Sequence, residues 1–409
     1  MKNKSKIRNP KSEIVVVGAG PAGASLAIRL VREGFRVRLI EREKFPRHKL
    51  CGEFISPECL RHFGDLGVLD EMLAVGGDRI AETVFYEPGG RSVSVASQWF
   101  GGEARSALSI SRSEMDLRLL ERARALGVEV LEETQVVDLL TDKGEVCGVR
   151  VRNGLGEITE ISADLTVDAT GRSRVLTKIA GRKEVQGKSK IQNPKSKIQN
   201  PLVGFKAHLK NVRLEAGVCE IYFFPGGYGG LSYIEDGLAN HCFLIEAETV
   251  RRFGGDAGKI VENVVSLNKR AALTLKDAEP VFDWLAVSID GFGRRDLTPL
   301  PNLLTVGDAA AFIDPFTGSG MLMALESAEI LSRIVAENRF SPEKIEEIYK
   351  LRHSDKFQKR LRICALLRRL ASAPGLTRWG ISALSLSRTA REMLARATRN
   401  SFSTGESKR

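Results

Sequence analysis

Residues 13–41 read EIVVVGAGPAGASLAIRLVREGFRVRLIE, and the order of residue types in this stretch decides the fold. Ile14 to Val17 form an apolar run that ends in Gly18-Ala19-Gly20-Pro21-Ala22-Gly23; apolar residues then keep a helical spacing to Glu33, and Phe35 to Glu41 is a second strand-like run. The expected structure is a buried strand over 13–17, a helix over 22–33 and a strand over 35–41. Gly18 permits the tight turn, Gly20 lets backbone approach a pyrophosphate, and Gly23 lets helix and strand pack closely. The helix start offers free N–H groups and positive dipole to phosphates, and Glu41, 18 residues after Gly23, is placed to accept ribose hydroxyls. A glycine triad alone is often a mere turn. Strand, turn, helix, strand and acid in register read as dinucleotide binding, with FAD and a nicotinamide cofactor both open at this point.

Working outward, Arg112 to Leu126 has the spacing of an amphipathic helix and Val128 to Glu132 is a short strand. Val146–Arg152 and Glu157–Ser162 alternate as a hairpin closed near Asn153-Gly154. Residues 202–290 hold several strand-like pieces separated by glycine turns, and helix dominates after Gly307.

The chain has 409 residues, 43% hydrophobic and 28% charged, which suits two ordinary cores and carries too much charge for a membrane bundle. The formal charge of +11 is unevenly spread. Residues 2–12 hold +5, residues 188–201 hold +4 and residues 350–409 hold +12, which leaves −10 on the body. A nucleic-acid partner is therefore not expected. Residues 188–194 and 195–201 both read KSKIQNP, and Lys4 to Pro10 is the same unit with Arg8 in place of glutamine. A proline every seven residues forbids a helix and one isoleucine per unit builds no core, so both stretches are expected to be disordered. There is no run of 18 apolar residues, no signal-peptide pattern at the start and no C-x-x-C or H-x-x-x-H pair, so the expectation is a cytoplasmic protein with reduced thiols and no metal site.

Two later segments favour FAD. Leu165 to Arg174 (LTVDATGRSR), with Asp168 and Gly171, and Leu304 to Ala310 (LTVGDAA), followed by Pro315 and Gly318-Ser319-Gly320-Met321, resemble the further FAD fingerprints of the glutathione-reductase-type flavoprotein superfamily. Within it the chain is most similar to the geranylgeranyl-reductase and aromatic-hydroxylase branch, over about residues 13–340 without the 188–201 insert. The fold this implies is α/β: a three-layer Rossmann-like FAD-binding domain with an inserted antiparallel substrate sheet and a helical C-terminal region. The FAD domain is expected in pieces, 13–75, 105–187 and 291–349; the substrate sheet over 76–104 and 202–290; the basic helical region over 350–409; and unstructured segments at 1–12 and 188–201.

The resemblance also implies roles. Gly307 turns the chain so that Asp308 meets the flavin ribitol, the plain alternative being a helix cap. Gly318 to Met321 open a helix whose start meets the flavin pyrimidine edge, where its dipole favours the anionic reduced form. Arg112 at a helix start, Arg42, Arg47 and Gly52 belong with the cofactor, and Val136 meets adenine through its backbone. Arg47 to Glu53 (RHKLCGE) resembles the K-x-C-G stretch of geranylgeranyl reductases, whose cysteine lies near the flavin. Cys51 between Arg47 and Lys49 is then a candidate proton donor or local switch, against the reading of an inert buried cysteine. Glu220 to Gly230 (EIYFFPGGYGG) resembles the Y-x-W-x-F-P-x-G element that lines the substrate tunnel there, with Glu220 and Tyr222 departing from the usual tyrosine and tryptophan. Tyr222, Phe224, Pro225 and Gly226 are the substrate candidates, plain sheet core being the alternative.

No second nucleotide fingerprint follows, so electrons are expected from transiently bound NAD(P)H or a protein donor. The leading function is reduction of a C=C bond in a small hydrophobic, isoprenoid-like substrate. The alternatives are a monooxygenase acting on an aromatic or polyketide-like ring, and a flavin- or lipid-binding protein without catalysis. In the tail, Leu376, Trp379, Ala383, Leu386, Ala390, Met393 and Ala397 recur at three- and four-residue steps with arginines off the stripe. That stripe either covers the protein or rests on an anionic membrane as a peripheral contact.

Overall fold

The computed structural model describes residues 12–187, 201–289, 291–339, 341–371 and 374–399. The expected disorder of the basic start and of the KSKIQNP repeats falls on 1–11 and 188–200, outside the described residues. At their edges, Ser12 already pairs with Ala163, and Pro201 accepts a hydrogen bond from the Ala247 N–H (2.8 Å).

The strand Ser12–Val17 lies between Val37–Ile40 and Ile158–Asp168, parallel to both, and Leu303–Thr305 extends the parallel set beside Ile158–Asp168. The strand Glu129–Leu131 closes the other edge. Ile158–Asp168 serves two partners along its length: residues 158–162 pair antiparallel with Glu145–Arg152, while 163–168 pair parallel with the first strand. The hairpin is closed by the Asn153 side chain, which accepts from the Leu155 and Glu157 N–H groups (3.0 and 2.9 Å).

The helix Pro21–Arg32 packs its apolar face between Gly320–Glu337 and Arg112–Ala125, burying Leu26, Ile28 and Leu30 completely. A fully buried leucine or isoleucine contributes about 1.5–3 kcal/mol, so this interface is a main tie between the first βαβ unit and the C-terminal half.

The second sheet has the order Glu279–Pro280, Leu202–Lys210, Ala239–Glu246, Gly227–Tyr233, Val218–Phe224, Glu82–Tyr86, Ser92–Ala96, with Leu285–Ile289 also paired to Leu202–Lys210. All of its pairings are antiparallel except Val218–Phe224 with Glu82–Tyr86. Its outer face packs through Phe205, Tyr222 and Phe224 against small helices that contribute Ile260 and Ala271. Its inner face looks toward the parallel sheet.

The helices Pro342–Ala371, Pro374–Ser385 and Arg388–Ala397 follow. The expected tail stripe is not one face. Leu386 is 88% and Met393 60% exposed, while Ile381 is buried with Phe223 and Val93. Ser387 adopts an extended conformation and caps the last helix through the Ala390 N–H (3.2 Å), so the helical phase restarts there and a stripe counted across it changes face.

Candidate active site

One cavity of about 1060 Å³ lies between the carboxyl end of the parallel strands, the inner face of the large sheet and the C-terminal helices. Its floor is the opening glycine turn. Gly18 sits at φ +103° with Ala169 O only 2.4 Å from where a Cβ would be, so this turn takes no side chain. The helix Pro21–Arg32 starts on Gly20 without a side-chain cap, leaving its first N–H groups toward the cavity. Glu41 ends the second strand, and its carboxylate accepts from the Ala19 and Glu43 N–H groups (3.0 and 3.1 Å).

Two arginines frame the next part. Arg112 donates through Nε and Nη2 to both Asp116 oxygens (2.9 and 2.6 Å), and Arg47 donates to the same carboxylate (2.6 Å) while stacking over Phe45. Burial alone would raise the Asp116 pKa, but the Arg112 and Arg47 charges bring it below the usual range. Asp116 thus fixes both guanidinium groups, and the i to i+4 spacing from Arg112 was its only mark in the sequence.

Of the cofactor candidates, Gly18, Gly20, Pro21, Ala22, Glu41, Arg42, Arg47, Cys51, Gly52, Arg112, Val136, Gly171, Asp308, Pro315, Gly318, Gly320 and Met321 all line this cavity. Four do not, and each has a packing reason. Gly23 lies 1.8 Å, at its would-be Cβ, from Gly18 O, and Gly307 sits 2.8 Å by the same measure from Ala22 Cβ. Asp168 is buried and holds its own turn, accepting from the N–H and hydroxyl groups of Thr170 and Thr177. Ser319 turns away and accepts from Arg399 Nη1 (2.7 Å).

The substrate candidates need correction. Val218–Phe224 is buried on both faces, so composition did not reveal which side faces the cavity. Cys219, Ile221 and Phe223 line it; Tyr222 and Phe224 point into the opposite core, where the Tyr222 hydroxyl donates to Glu220. Pro225 and Gly226 form the hairpin turn beyond, outside the lining.

Cys51 lines the cavity. Its Sγ accepts from the Glu53 N–H (3.4 Å) and its carbonyl accepts from Asn240 Nδ2 (3.1 Å). The Arg112 guanidinium lies beside it: burial would lower the Arg112 pKa, but Asp116 and, after it, Cys51 raise it. Behind this loop is a buried cluster that sequence reasoning missed. Glu53 accepts from Lys206 Nζ, from His208 Nε2 (2.8 Å) and from the Arg112 N–H (2.6 Å), and Lys206 also donates to Lys49 O (3.1 Å). Lys206 and His208 sit at alternate positions of one strand, so a polar pair inside an apolar run was the signal available.

Beyond Cys51 the lining turns apolar, with Phe85, Val93, Val95, Phe223, Ile381 and Leu384. Ile381 and Leu384 come from the C-terminal helices, which therefore form a wall of the cavity.

FAD fits the residues present: an uncapped helix start for the pyrophosphate, Glu41 for the ribose, and Asp308, whose side chain lines the cavity. Burial raises the Asp308 pKa, with Arg172, Arg112 and Arg295 opposing it.

Over 349 residues the chain is 28% identical to digeranylgeranylglycerophospholipid reductase of Methanosarcina acetivorans, covering 83% of this chain and 80% of that one. Among solved structures it resembles a geranylgeranyl bacteriochlorophyll reductase-like protein of Thermoplasma acidophilum (TM-score 0.75, 19% identity, 95% and 96% covered). It also resembles a triple mutant of a flavin-dependent brominase (TM-score 0.76, 19% identity, 96% of each chain covered). The FAD binding domain family matches residues 11–339, and the chain belongs to that family as an FAD-dependent oxidoreductase.

Proposed function

We propose that the protein reduces C=C bonds of a hydrophobic, isoprenoid lipid-like substrate. The observation that carries this reading is the apolar chamber, continuous with the cofactor cradle and lined by Phe85, Val93, Val95, Phe223, Ile381 and Leu384. When bound and reduced, FAD supplies a hydride, which with one proton saturates the double bond, and NAD(P)H or a protein donor returns the two electrons. The chamber walls hold the alkene chain and exclude water. The Cys51 thiol, held at the junction of cradle and chamber, gives up the proton and regains one from solvent. The name of the Methanosarcina relative supports the same substrate class.

Anaerobic turnover of a polyprenyl lipid with a chemical reductant tests this reading, with product saturation followed by mass. Cys51→Ser should keep FAD and lower turnover by on the order of 100-fold, the size of a lost general acid. Unchanged turnover would remove the thiol from the mechanism, and an oxygen-requiring, oxygenated product would replace the reductase reading with a monooxygenase.

A lipid-like substrate also suits contact with an anionic bilayer through the tail. Leu386 and Met393 stand out beside Arg388 and Arg396, and among the described residues no helix is long and apolar enough to cross a membrane. Leu386→Glu combined with Met393→Glu should reduce co-sedimentation with phosphatidylglycerol vesicles several-fold; binding equal to the unsubstituted protein would exclude this face.

A further inference from the structure

We propose that Arg399, just after the helix Arg388–Ala397, sets the redox poise of the bound FAD by placing a buried positive charge beneath the loop that opens the helix Gly320–Glu337. The inference rests on the reading that Gly318 to Met321 meet the flavin.

Arg399 follows the last helix and is 3% exposed, with its guanidinium over the Phe100 ring. Nη1 donates to Gly318 O (3.1 Å) and Ser319 Oγ (2.7 Å). Nε and Nη2 are buried without a hydrogen-bond partner, and Nη2 lies 3.6 Å from where a Gly318 Cβ would be. Arg399 and Gly318 both form part of the cavity wall. The carboxylate that faces these donors is Glu58, whose two oxygens are likewise buried without a hydrogen bond, so the pair is held at ion-pair distance and leaves Nε and Nη2 unbonded at the cavity edge.

The surrounding charges agree. Glu58 approaches Arg399 only to 3.7 Å. Glu326 is shared by Arg360 (2.7 Å) and Lys356 (3.0 Å), and Arg360 donates onward to Arg399 O (2.7 Å). Asp314, the loop's own carboxylate, accepts from the Tyr228 hydroxyl, and burial pushes its pKa up. Arg368 also approaches Asp314, to 3.8 Å, so four cations (Arg399, Arg360, Lys356 and Arg368) face three carboxylates (Glu58, Glu326 and Asp314) under this loop. The helix above begins on Ser319 without a side-chain cap, so its dipole adds to the same field. Reduction of FAD by a hydride places negative charge on the flavin, and this field favours that form.

The test is the midpoint potential of the FAD in the substrate-free holoprotein. Arg399→Gln should lower it, corresponding to a change of about fivefold in the ratio of dissociation constants for oxidised and reduced FAD. Arg399→Lys should recover most of the loss, and Glu58→Gln should shift the potential upward. An unchanged potential in Arg399→Gln, or a Glu58→Gln shift of the same sign as Arg399→Gln, overturns the proposal. If Arg399→Gln does not retain FAD, the sign of the Glu58→Gln shift decides it. Gly320→Ala separates the two layers: its Cβ would meet only Ile313 at 3.8 Å, so the fold tolerates it. A potential or flavin spectrum moved by Gly320→Ala but not by Arg399→Gln rejects the arginine alone. If none of the variants moves either, the placement of this loop against the flavin is rejected as well.

Discussion

Replacing Lys206 with methionine is expected to lower the unfolding free energy by roughly 3–5 kcal/mol, the usual result of removing one partner of a buried ion pair. Both Lys206 and Glu53 are fully buried. Without the ammonium, the Glu53 carboxylate keeps His208 and the Arg112 N–H as donors but loses its compensating charge, and Lys49 O loses a donor. The pH dependence gives a second reading. Burial would raise the Glu53 pKa, but the His208 hydrogen bond and the Lys206 charge hold it below the usual value. A carboxyl depressed on folding contributes fully above its unfolded pKa of about 4.3, and the contribution is lost as pH falls through the folded value. In Lys206→Met the folded pKa moves up, so the deficit should narrow as pH is lowered and the Glu53 carboxyl protonates in the variant before it does in the parent. Urea titrations at several pH values measure both effects. Equal stability of the two proteins at neutral pH would show that the pair is not closed in solution.

The second large effect is expected at Gly23. A Cβ there would lie 1.8 Å from Gly18 O and 3.1 Å from Ala169 Cβ. Neither neighbour is the end of a flexible side chain, so the helix must move off the sheet, at a cost of about 3 kcal/mol. The same displacement carries the helix start away from the phosphates, and FAD affinity should fall on the order of 100-fold, equivalent to about 2.7 kcal/mol. Gly20→Ala is the control: its Cβ would approach only Arg112 Nη2, at 3.7 Å. That protein should melt like the parent yet bind FAD weakly, because the added methyl points into the cradle. Calorimetry without and with FAD distinguishes the two, and a Gly20→Ala protein that binds FAD normally would contradict the assignment of the cradle.

What was legible in the sequence is what is local. The glycine turn, its helix and Glu41 lie within 29 consecutive residues, and each residue type follows from the backbone shape it permits. The glycines after Leu304 were readable for the same reason. Glu53 and Lys206 are 153 positions apart and meet only because a strand of the second sheet passes behind the Cys51 loop. No periodicity announces such a pair. The face of Val218–Phe224 was hidden because both sides are buried, which removes the polar alternation that normally orients a strand. The tail misled differently: its residues do repeat at helical steps, but Ser387 divides them between two helices of different phase.

The long strand Ile158–Asp168 has a consequence for the order in which this protein can be made. The first strand cannot be flanked on both sides until residue 168 has been synthesised, and the parallel set is not complete until Leu303–Thr305 has joined it. The last wall of the cavity arrives later still, with residues 380–399. Pairings of such sequence separation make folding slow and leave an open apolar sheet on the nascent chain. The full cavity therefore exists only once residue 399 has been synthesised, and chains cut short before residue 374 should depend on chaperones even though the glycine turn, Glu41 and Asp308 are already present.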